Sequence, residues 1–230
     1  MEGIAACGLA RDIRAGRSRW LGRRTPHLQQ RFAKLTLIPY IRSALEYRRQ
    51  NAVSLGTVLV VDVEATTGAD RPRGALRDVI QVGACVLQMD GGAIVDAQSI
   101  LVQPSCSEVT AFCTRLTGIT PEQAAEGVAF VDACAWLQNA FNSSDLVWAS
   151  FGDFDREQFA TQCAREGVAY PFGRGHLNIK TIVALRYGWH RGKGLTRALS
   201  TLGIRHTGRH HDAKDDAVNA ARLFHRALRG

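Results

Sequence analysis

The sequence contains no apolar run that approaches the length of a membrane-spanning helix, which needs about 20 residues. Six cysteines occur in 230 residues, but none forms a Cys-x-x-Cys pair or clusters with histidines. This pattern indicates neither a zinc site nor a disulfide framework. We therefore expect a soluble intracellular protein with reduced thiols and no membrane partner.

Acidic residues are scarce in two parts of the chain. The first 50 residues hold 11 Lys or Arg and only three Asp or Glu, so they account for the whole net charge of +8. Between residues 167 and 211, eight basic residues occur without a single acid. Residues 51–170, in contrast, hold 15 acidic and six basic residues. Charge divided in this way favours a partner that carries phosphates.

The arginine-rich start of the chain, residues 1–52, is predicted to lie outside the globular domain, which we place at residues 53–230. Its composition is typical of a solvated basic arm and equally of an organellar transit peptide. A short helix is predicted near residues 38–51. The arm implies a cytoplasmic or nuclear protein, whereas the transit peptide implies import into mitochondria or another organelle, and the sequence leaves both open.

Hydrophobic patterning from Gly56 onward predicts an α/β fold. The β-branched run at residues 57–61 is typical of a strand buried on both faces. Two more strands, at 79–87 and 93–102, are joined by an Asp-Gly turn and predict an antiparallel meander. Another strand is predicted at 145–149. Helices are predicted over 130–141, 155–166, 179–187, 196–202 and 212–228. The alternation predicts a mixed central sheet with helices on both faces.

Acidic side chains occur at three separate places beside predicted strand ends or helix starts. Asp62 and Glu64 share one face of the first strand, because strand side chains alternate. Taken alone, this pair is more typical of two solvated acids in a loop. Asp153 and Asp155 follow a later strand, where one of them is expected to cap the next helix. Asp216 lies one turn into the last helix, among alanines. Carboxylates placed together require a cation, and Mg²⁺ or Mn²⁺ suits oxygen ligands.

A histidine completes this set. His211 lies five residues before Asp216, on the loop that leads into the last helix. Its imidazole has a pKa that suits a general base near neutral pH. Acids and histidine together predict hydrolysis of a phosphodiester bond by two metal ions, with the histidine deprotonating the attacking water.

Three stretches resemble the exonuclease motifs of the DEDDh 3′-to-5′ exonucleases, a family of the ribonuclease H-like superfamily. They are Asp62-Val63-Glu64-Ala65-Thr66-Thr67, Gly152-Asp153-Phe154-Asp155-Arg156, and His211 followed by Asp216. Stretches at 112–119, 178–180, 199–204 and 208–211 are similar to signatures of the Eri-like exoribonuclease group. The resemblance covers residues 58–224 and implies a ribonuclease H-like fold.

The resemblance also implies roles for five residues. Asp62 would bridge two ions, Mg²⁺ or Mn²⁺, and Asp155 would support one of them. Glu64 and Asp216 would hold the ion that activates the water, and His211 would be the general base. Asp155 rather than Asp153 is the implied ligand, because an apolar residue follows it four positions later.

The expected partner is the 3′ end of a single-stranded nucleic acid, RNA in preference to DNA, with release of nucleoside 5′-monophosphates. Arg209 is the first candidate for a phosphate contact. Phe112 and Leu116 are candidates to wedge against the terminal base, with core packing as the competing interpretation. Thr66, in the first motif, is a further candidate contact. Two alternatives stay open: a DNA-directed exonuclease of the proofreading type, and a nucleic-acid-binding protein without turnover.

Overall fold

The central sheet contains five strands in the order β3-β2-β1-β4-β5. The computed structural model describes residues 56–69, 72 and 74–229, so the basic segment and the helix predicted near 38–51 lie outside the described residues. Strand β2 runs antiparallel to both β1 and β3, whereas β4 runs parallel to β1 and to β5. The strands are β1 (Thr57–Ala65), β2 (Val79–Gln88), β3 (Ile94–Leu101), β4 (Trp148–Ser150) and β5 (His176–Asn178).

Helices cover both faces of this sheet. They are α1 (Ala111–Thr117), α2 (Pro121–Ala125), α3 (Phe130–Phe141), α4 (Phe154–Glu166), α5 (Ile179–Arg186), α6 (Leu195–Thr201) and α7 (Ala213–Arg229). One core lies between the sheet and helices α3 and α4, and a second lies between the sheet and helices α5 to α7. The predicted α/β fold with helices on both faces is confirmed. Within the described ranges, no helix is both long and apolar enough to cross a bilayer.

The first strand is buried on both faces, as predicted. Residues 58 to 61 are fully buried, and they alternate between the two cores. Val58 and Val60 face helices α5 to α7, whereas Leu59 and Val61 face α3 and α4. Because the alternation continues, Asp62 shares the face of Val60 and is directed toward the side where α7 packs.

Two short elements were not predicted from the sequence. Strand β5 has three residues and is too short to show a period of its own, whereas α1 was missed although α6, also of seven residues, was predicted. Helix α4 begins one residue earlier than predicted, at Phe154. Asp153 therefore occupies its N-cap position, but its side chain makes no capping hydrogen bond and instead accepts one from Asn178 at 2.8 Å.

The start of α7 is held against β2 by two residues of that strand. A side chain at Gly83 would overlap the backbone of Ala213, so only glycine allows this close approach. The buried amide of Gln81 accepts a hydrogen bond from the Ala213 N–H at 3.0 Å and donates one to Asp212 Oδ2 at 3.1 Å. These contacts fix the first turn of α7, which carries Asp216.

We expect Gln81→Ala to lower the free energy of unfolding by about 1 to 3 kcal/mol, because a buried N–H of Ala213 loses its partner. Urea unfolding of the metal-free protein measures this. The matched control is Gln98→Ala, on the exposed strand β3, which should change stability by no more than about 0.5 kcal/mol. Equal changes in the free energy of unfolding for Gln81→Ala and Gln98→Ala would contradict the role of Gln81 in holding the start of α7.

Candidate active site

A cleft of about 540 Å³ opens where strands β1 and β4 end. All five residues predicted to be catalytic, Asp62, Glu64, Asp155, His211 and Asp216, line this cleft. Asp62 and Glu64 come from β1, Asp155 from the first turn of α4, and Asp216 from the first turn of α7. The structure thus brings together residues that lie up to 154 positions apart in the sequence.

Two of the carboxylates are nearly buried and are oriented by hydrogen bonds. Asp155 Oδ1 accepts the backbone N–H of Val63 at 3.0 Å, which ties helix α4 to β1. Asp216 accepts the backbone N–H of His211 at 3.1 Å and lies 3.0 Å from His206 Nε2. His206 belongs to no motif that we could identify in the sequence, so its contact with Asp216 emerges only from the fold.

Burial disfavours ionisation of Asp62, Glu64 and Asp155, and for Asp62 and Glu64 repulsion by neighbouring carboxylates adds to the effect. Burial, followed by the charges of Asp216 and Asp155, raises the pKa of Glu64 to about 8. Burial raises the pKa of Asp155 to about 6, although the bond from Val63 opposes the change. The pKa of Asp62 is raised well above its ordinary range by burial and by Asp155 and Glu64. The site therefore concentrates more negative charge than the protein itself neutralises.

A divalent cation fits this site. Ligand atoms of Glu64, His211 and Asp216 lie within 4.8 Å of one another, and the two carboxylates among them are close enough to share one ion beside the histidine. Carboxylate oxygens are the ligands that Mg²⁺ and Mn²⁺ prefer. An ion would also relieve the repulsion that raises the carboxylate pKa values.

The raised pKa of Glu64 should make the metal-free protein less stable as the pH rises. The folded protein keeps a proton on Glu64 up to about pH 8, whereas the unfolded chain releases it near 4.5. Between these values the folded state binds more protons, so the free energy of unfolding falls as pH increases. A difference of one pKa unit is worth about 1.4 kcal/mol, and we expect a loss of at least that size in chelator. Urea unfolding near pH 5 and near pH 8 measures it.

Two comparisons sharpen this measurement. Glu64→Gln removes one of the titrating groups and should reduce the dependence on pH, most of all between about pH 6 and 8, while added Mg²⁺ should restore stability mainly at the higher pH. Metal-free protein whose stability is constant, or increases, across this range would contradict the raised pKa.

Two histidines face the cleft. The ring of His211 stacks on that of His210, with the centroids 4.1 Å apart. His210 is engaged on both nitrogens, at 3.0 Å from Thr196 Oγ1 and 3.3 Å from Asp216 Oδ2. His211 Nδ1 lies 3.8 Å from Glu64 Oε1. Burial, followed by the neighbouring His210, lowers the pKa of His211, so its imidazole is neutral at pH 7 and able to accept a proton.

The four predicted nucleic-acid contacts differ in their placement. Leu116 lines the cleft, and Phe112 lies one turn earlier on α1, with its ring 5.9 Å from the guanidinium carbon of Arg115. Arg209 is exposed, and its guanidinium lies against Gly118, where an added side chain would overlap it. Its charge lowers the pKa of Glu64, so it acts on the site electrostatically.

The placement of Thr66 argues against the predicted contact. Its side chain is fully buried, and its hydroxyl oxygen lies 2.6 Å from Ser107 Oγ and accepts the Asp78 N–H at 3.0 Å. These contacts use the hydroxyl to hold the end of β1, so it is not available to contact a nucleic acid. The next residue, Thr67, lines the cleft instead.

Several lining residues were missed by the sequence reasoning. Arg77 lies at the cleft, with its guanidinium carbon 5.5 Å from the ring centroid of Phe154. Phe154 is 42% exposed, which is unusual for a phenylalanine. Arg197 was one of the eight basic residues in the acid-free segment and also lines the cleft. Phe154 stands inside the second motif, whereas no sequence signal marks Arg77.

Comparison with known proteins relates the chain to one family and to individual exoribonucleases. The family model described as Exonuclease matches residues 59–224, well over half of the chain. The 3'-5' exoribonuclease 1 of Rattus norvegicus is 28% identical over 201 residues, a match that covers 82% of this chain and 58% of that protein. The ERI1 exoribonuclease 2 of Homo sapiens is 26% identical over 196 residues and is matched over 75% of this chain and 28% of its own length. The chain thus spans less than two thirds of the length of these two relatives.

The fold is also shared with solved nucleases. The nuclease domain of 3'hExo, described as a DEDDh family member bound to rAMP, has a TM-score of 0.68 at 25% identity. The match covers 75% of this chain and 92% of that domain. The predicted ribonuclease H-like fold is confirmed by this similarity.

Proposed function

Because the chain belongs to the exonuclease family, we propose that it is a 3′-to-5′ exonuclease that shortens single-stranded RNA from its 3′ end. The observation that carries this function is the convergence of four carboxylates and a neutral histidine in one open cleft. Each of these groups suits the hydrolysis of a phosphodiester. The fold does not need such a cluster of ionisable groups for its stability, which points to a function.

The four carboxylates would hold two divalent ions, Mg²⁺ or Mn²⁺. When bound, such ions lower the pKa of water and stabilise the negative charge that develops on a reacting phosphate. Asp155 is held by Val63, and Asp216 is held by the backbone of His211, so both are preorganised before any ion arrives. Preorganisation reduces the cost of assembling the site.

His211 would accept the proton of the attacking water. Its ring is 36% exposed and its pKa is lowered, so the neutral form is available and solvent can carry the proton away. Attack by this water on the last phosphodiester would release a nucleoside 5′-monophosphate and leave a shortened strand with a new 3′ hydroxyl.

The walls of the cleft suit the end of a single strand. The exposed ring of Phe154 and the side chain of Leu116 offer apolar surfaces on which an unpaired terminal base can stack. Arg77 and Arg197 supply positive charge at the same cleft, which a polyanion needs beside an acidic metal site. RNA is favoured over DNA because the two relatives carry exoribonuclease names and the related nuclease domain was solved with rAMP.

The test is digestion of 5′-labelled single-stranded RNA and DNA of one sequence by the purified protein with Mg²⁺ or Mn²⁺. We expect a stepwise ladder that shortens from the 3′ end, faster on RNA, and that stops when chelator is added. A substrate blocked at its 3′ end should resist. A faster ladder on DNA would replace the RNA preference by a DNA-directed activity, and no degradation of either polymer would refute the enzymatic function.

A further inference from the structure

A second cavity, of about 350 Å³, lies beside the catalytic cleft. Phe151 and Phe154 line the cleft, whereas Gly152 and Asp153, between them in the sequence, line the second cavity. The loop after α5 also borders both the cleft and the second cavity, because Gly192 lines the second cavity and residue 194 lines the cleft. The two hollows are therefore neighbours along one surface.

Aromatic rings stand at this second cavity. Trp189 lines it and stacks on Tyr187, with the ring centroids 5.7 Å apart and the planes 28° from parallel. Both rings pack partly against the core formed with helices α5 to α7 and stay partly exposed. Lys193 Nζ lies 4.0 Å from the centroid of the Trp189 ring. A partly exposed indole that packs against the core beside a cation offers a surface on which an unpaired base can stack.

Basic residues without carboxylate partners belong to the same part of the fold. Lys180, Arg191 and Lys193 form no ion pair with any carboxylate in the described part of the chain. The single acid that lines the cavity is Asp153, and its carboxylate already accepts hydrogen bonds from Asn178 and Arg156. The side chain of Lys180 passes over residue 192, where an added Cβ would lie 2.7 Å from its Cγ. We call Lys180, Tyr187, Trp189, Arg191 and Lys193 the aromatic-basic surface.

On the premise of the exonuclease function, we propose that the aromatic-basic surface binds the nucleotides that lie upstream of the 3′ end of a single-stranded RNA. Cations that have no carboxylate partner and an indole packed against the core match the two repeating parts of such a strand, phosphates and unpaired bases. A strand whose last nucleotide occupies the cleft continues over residues 192–194 onto this surface. It follows that substrate length, and not only the terminal nucleotide, sets the affinity.

The experiment compares oligoadenylates of about three and about twelve nucleotides, lengths that fall below and within the range of about 4 to 16 nucleotides that single-strand sites cover. Binding is measured in chelator by fluorescence anisotropy, and kcat and KM are measured with Mg²⁺. The variants are Trp189→Leu, which keeps apolar packing, and Lys193→Gln. The matched control is Arg174→Gln, because Arg174 precedes β5 and so lies at the end of that strand opposite Asn178 and the cavity.

On the long RNA we expect Trp189→Leu to weaken binding about tenfold and to raise KM by a similar factor with kcat unchanged. Lys193→Gln should lower the slope of log affinity against log salt by about one. Neither variant should affect the short RNA, and Arg174→Gln should resemble the wild type on both lengths.

The outcomes separate this surface from the exonuclease function itself. A wild type that neither binds nor degrades RNA of either length refutes the exonuclease function. If the wild type degrades both RNA lengths and the Trp189 and Lys193 variants behave like Arg174→Gln, the aromatic-basic surface is refuted and the exonuclease function is not. Equal losses on the short and long RNA would show that the variants act through the cleft or the fold, which also overturns it. If polyglutamate displaced the labelled RNA as strongly as unlabelled RNA does, the surface would be a general site for anions. That result would overturn the preference for a nucleic acid.

Discussion

Replacing Asp62 by asparagine is expected to reduce exonuclease activity by at least about 10³-fold while leaving the fold intact. The substitution keeps the shape of the side chain and removes a charge that the carboxylates of Asp155 and Glu64 repel. The metal-free variant should therefore be more stable than the wild type, because the cost of holding buried like charges together falls. A loss of activity accompanied by a gain in stability is expected of a carboxylate that serves function, since a structural acid would show loss of both.

Activity on labelled RNA and urea unfolding in chelator measure the two effects. The stabilisation that Mg²⁺ gives the wild type should also become smaller in Asp62→Asn, because one ligand is missing. Asp96→Asn is the matched control: Asp96 is exposed on β3 and has a positive φ of 52°, a conformation that asparagine tolerates. A variant at Asp62 that retains more than about a tenth of wild-type activity would contradict the role of this residue.

Replacing His211 by asparagine is expected to lower kcat by about 10²- to 10⁴-fold, the range that a general base contributes. Asparagine is preferred to alanine here because His211 has a left-handed backbone, with φ at 61°. Asparagine adopts this conformation readily, so the change removes the imidazole without straining the turn that leads into α7. The free energy of unfolding should stay within about 0.5 kcal/mol of the wild type.

The neighbouring histidine provides the control. His210 stacks on His211 but is engaged by Thr196 and Asp216, so His210→Asn should cost activity much less than His211→Asn. Added imidazole should partly restore His211→Asn and leave His210→Asn unchanged, which a purely structural role would not produce. If His210→Asn were the more damaging change, the base would have to be reassigned to His210.

The sequence predicted the main elements because their signals are local. The β-branched run of β1 and the long helices α3, α4, α5 and α7 each show their own period over enough residues to be recognised. The three motifs could likewise be read as short strings, and all five residues taken from them line one cleft. Strand β5 was missed because three residues carry too little pattern, and α1 was missed although α6, of equal length, was predicted.

For the basic residues, position along the chain was more informative than overall composition. The net charge of +8 belongs to the first 50 residues, whereas the described domain is divided into an acidic and a basic part. The acid-free segment at 167–211 was visible in the sequence, but not which of its cations would share a surface. The fold places Arg197 at the cleft and gathers Lys180 and Lys193 around Trp189.

By itself, the sequence determined the fold class and the family and named five residues that line one cleft, because hydrophobic period and motif spacing are properties of neighbouring positions. Only the tertiary structure decided which groups surround these residues. The burial of Thr66, the contact of His206 with Asp216, the place of Arg77 and the clamp of Gln81 on α7 all depend on segments far apart in the chain. Such contacts leave no local pattern, since each follows from how the helices pack across the sheet.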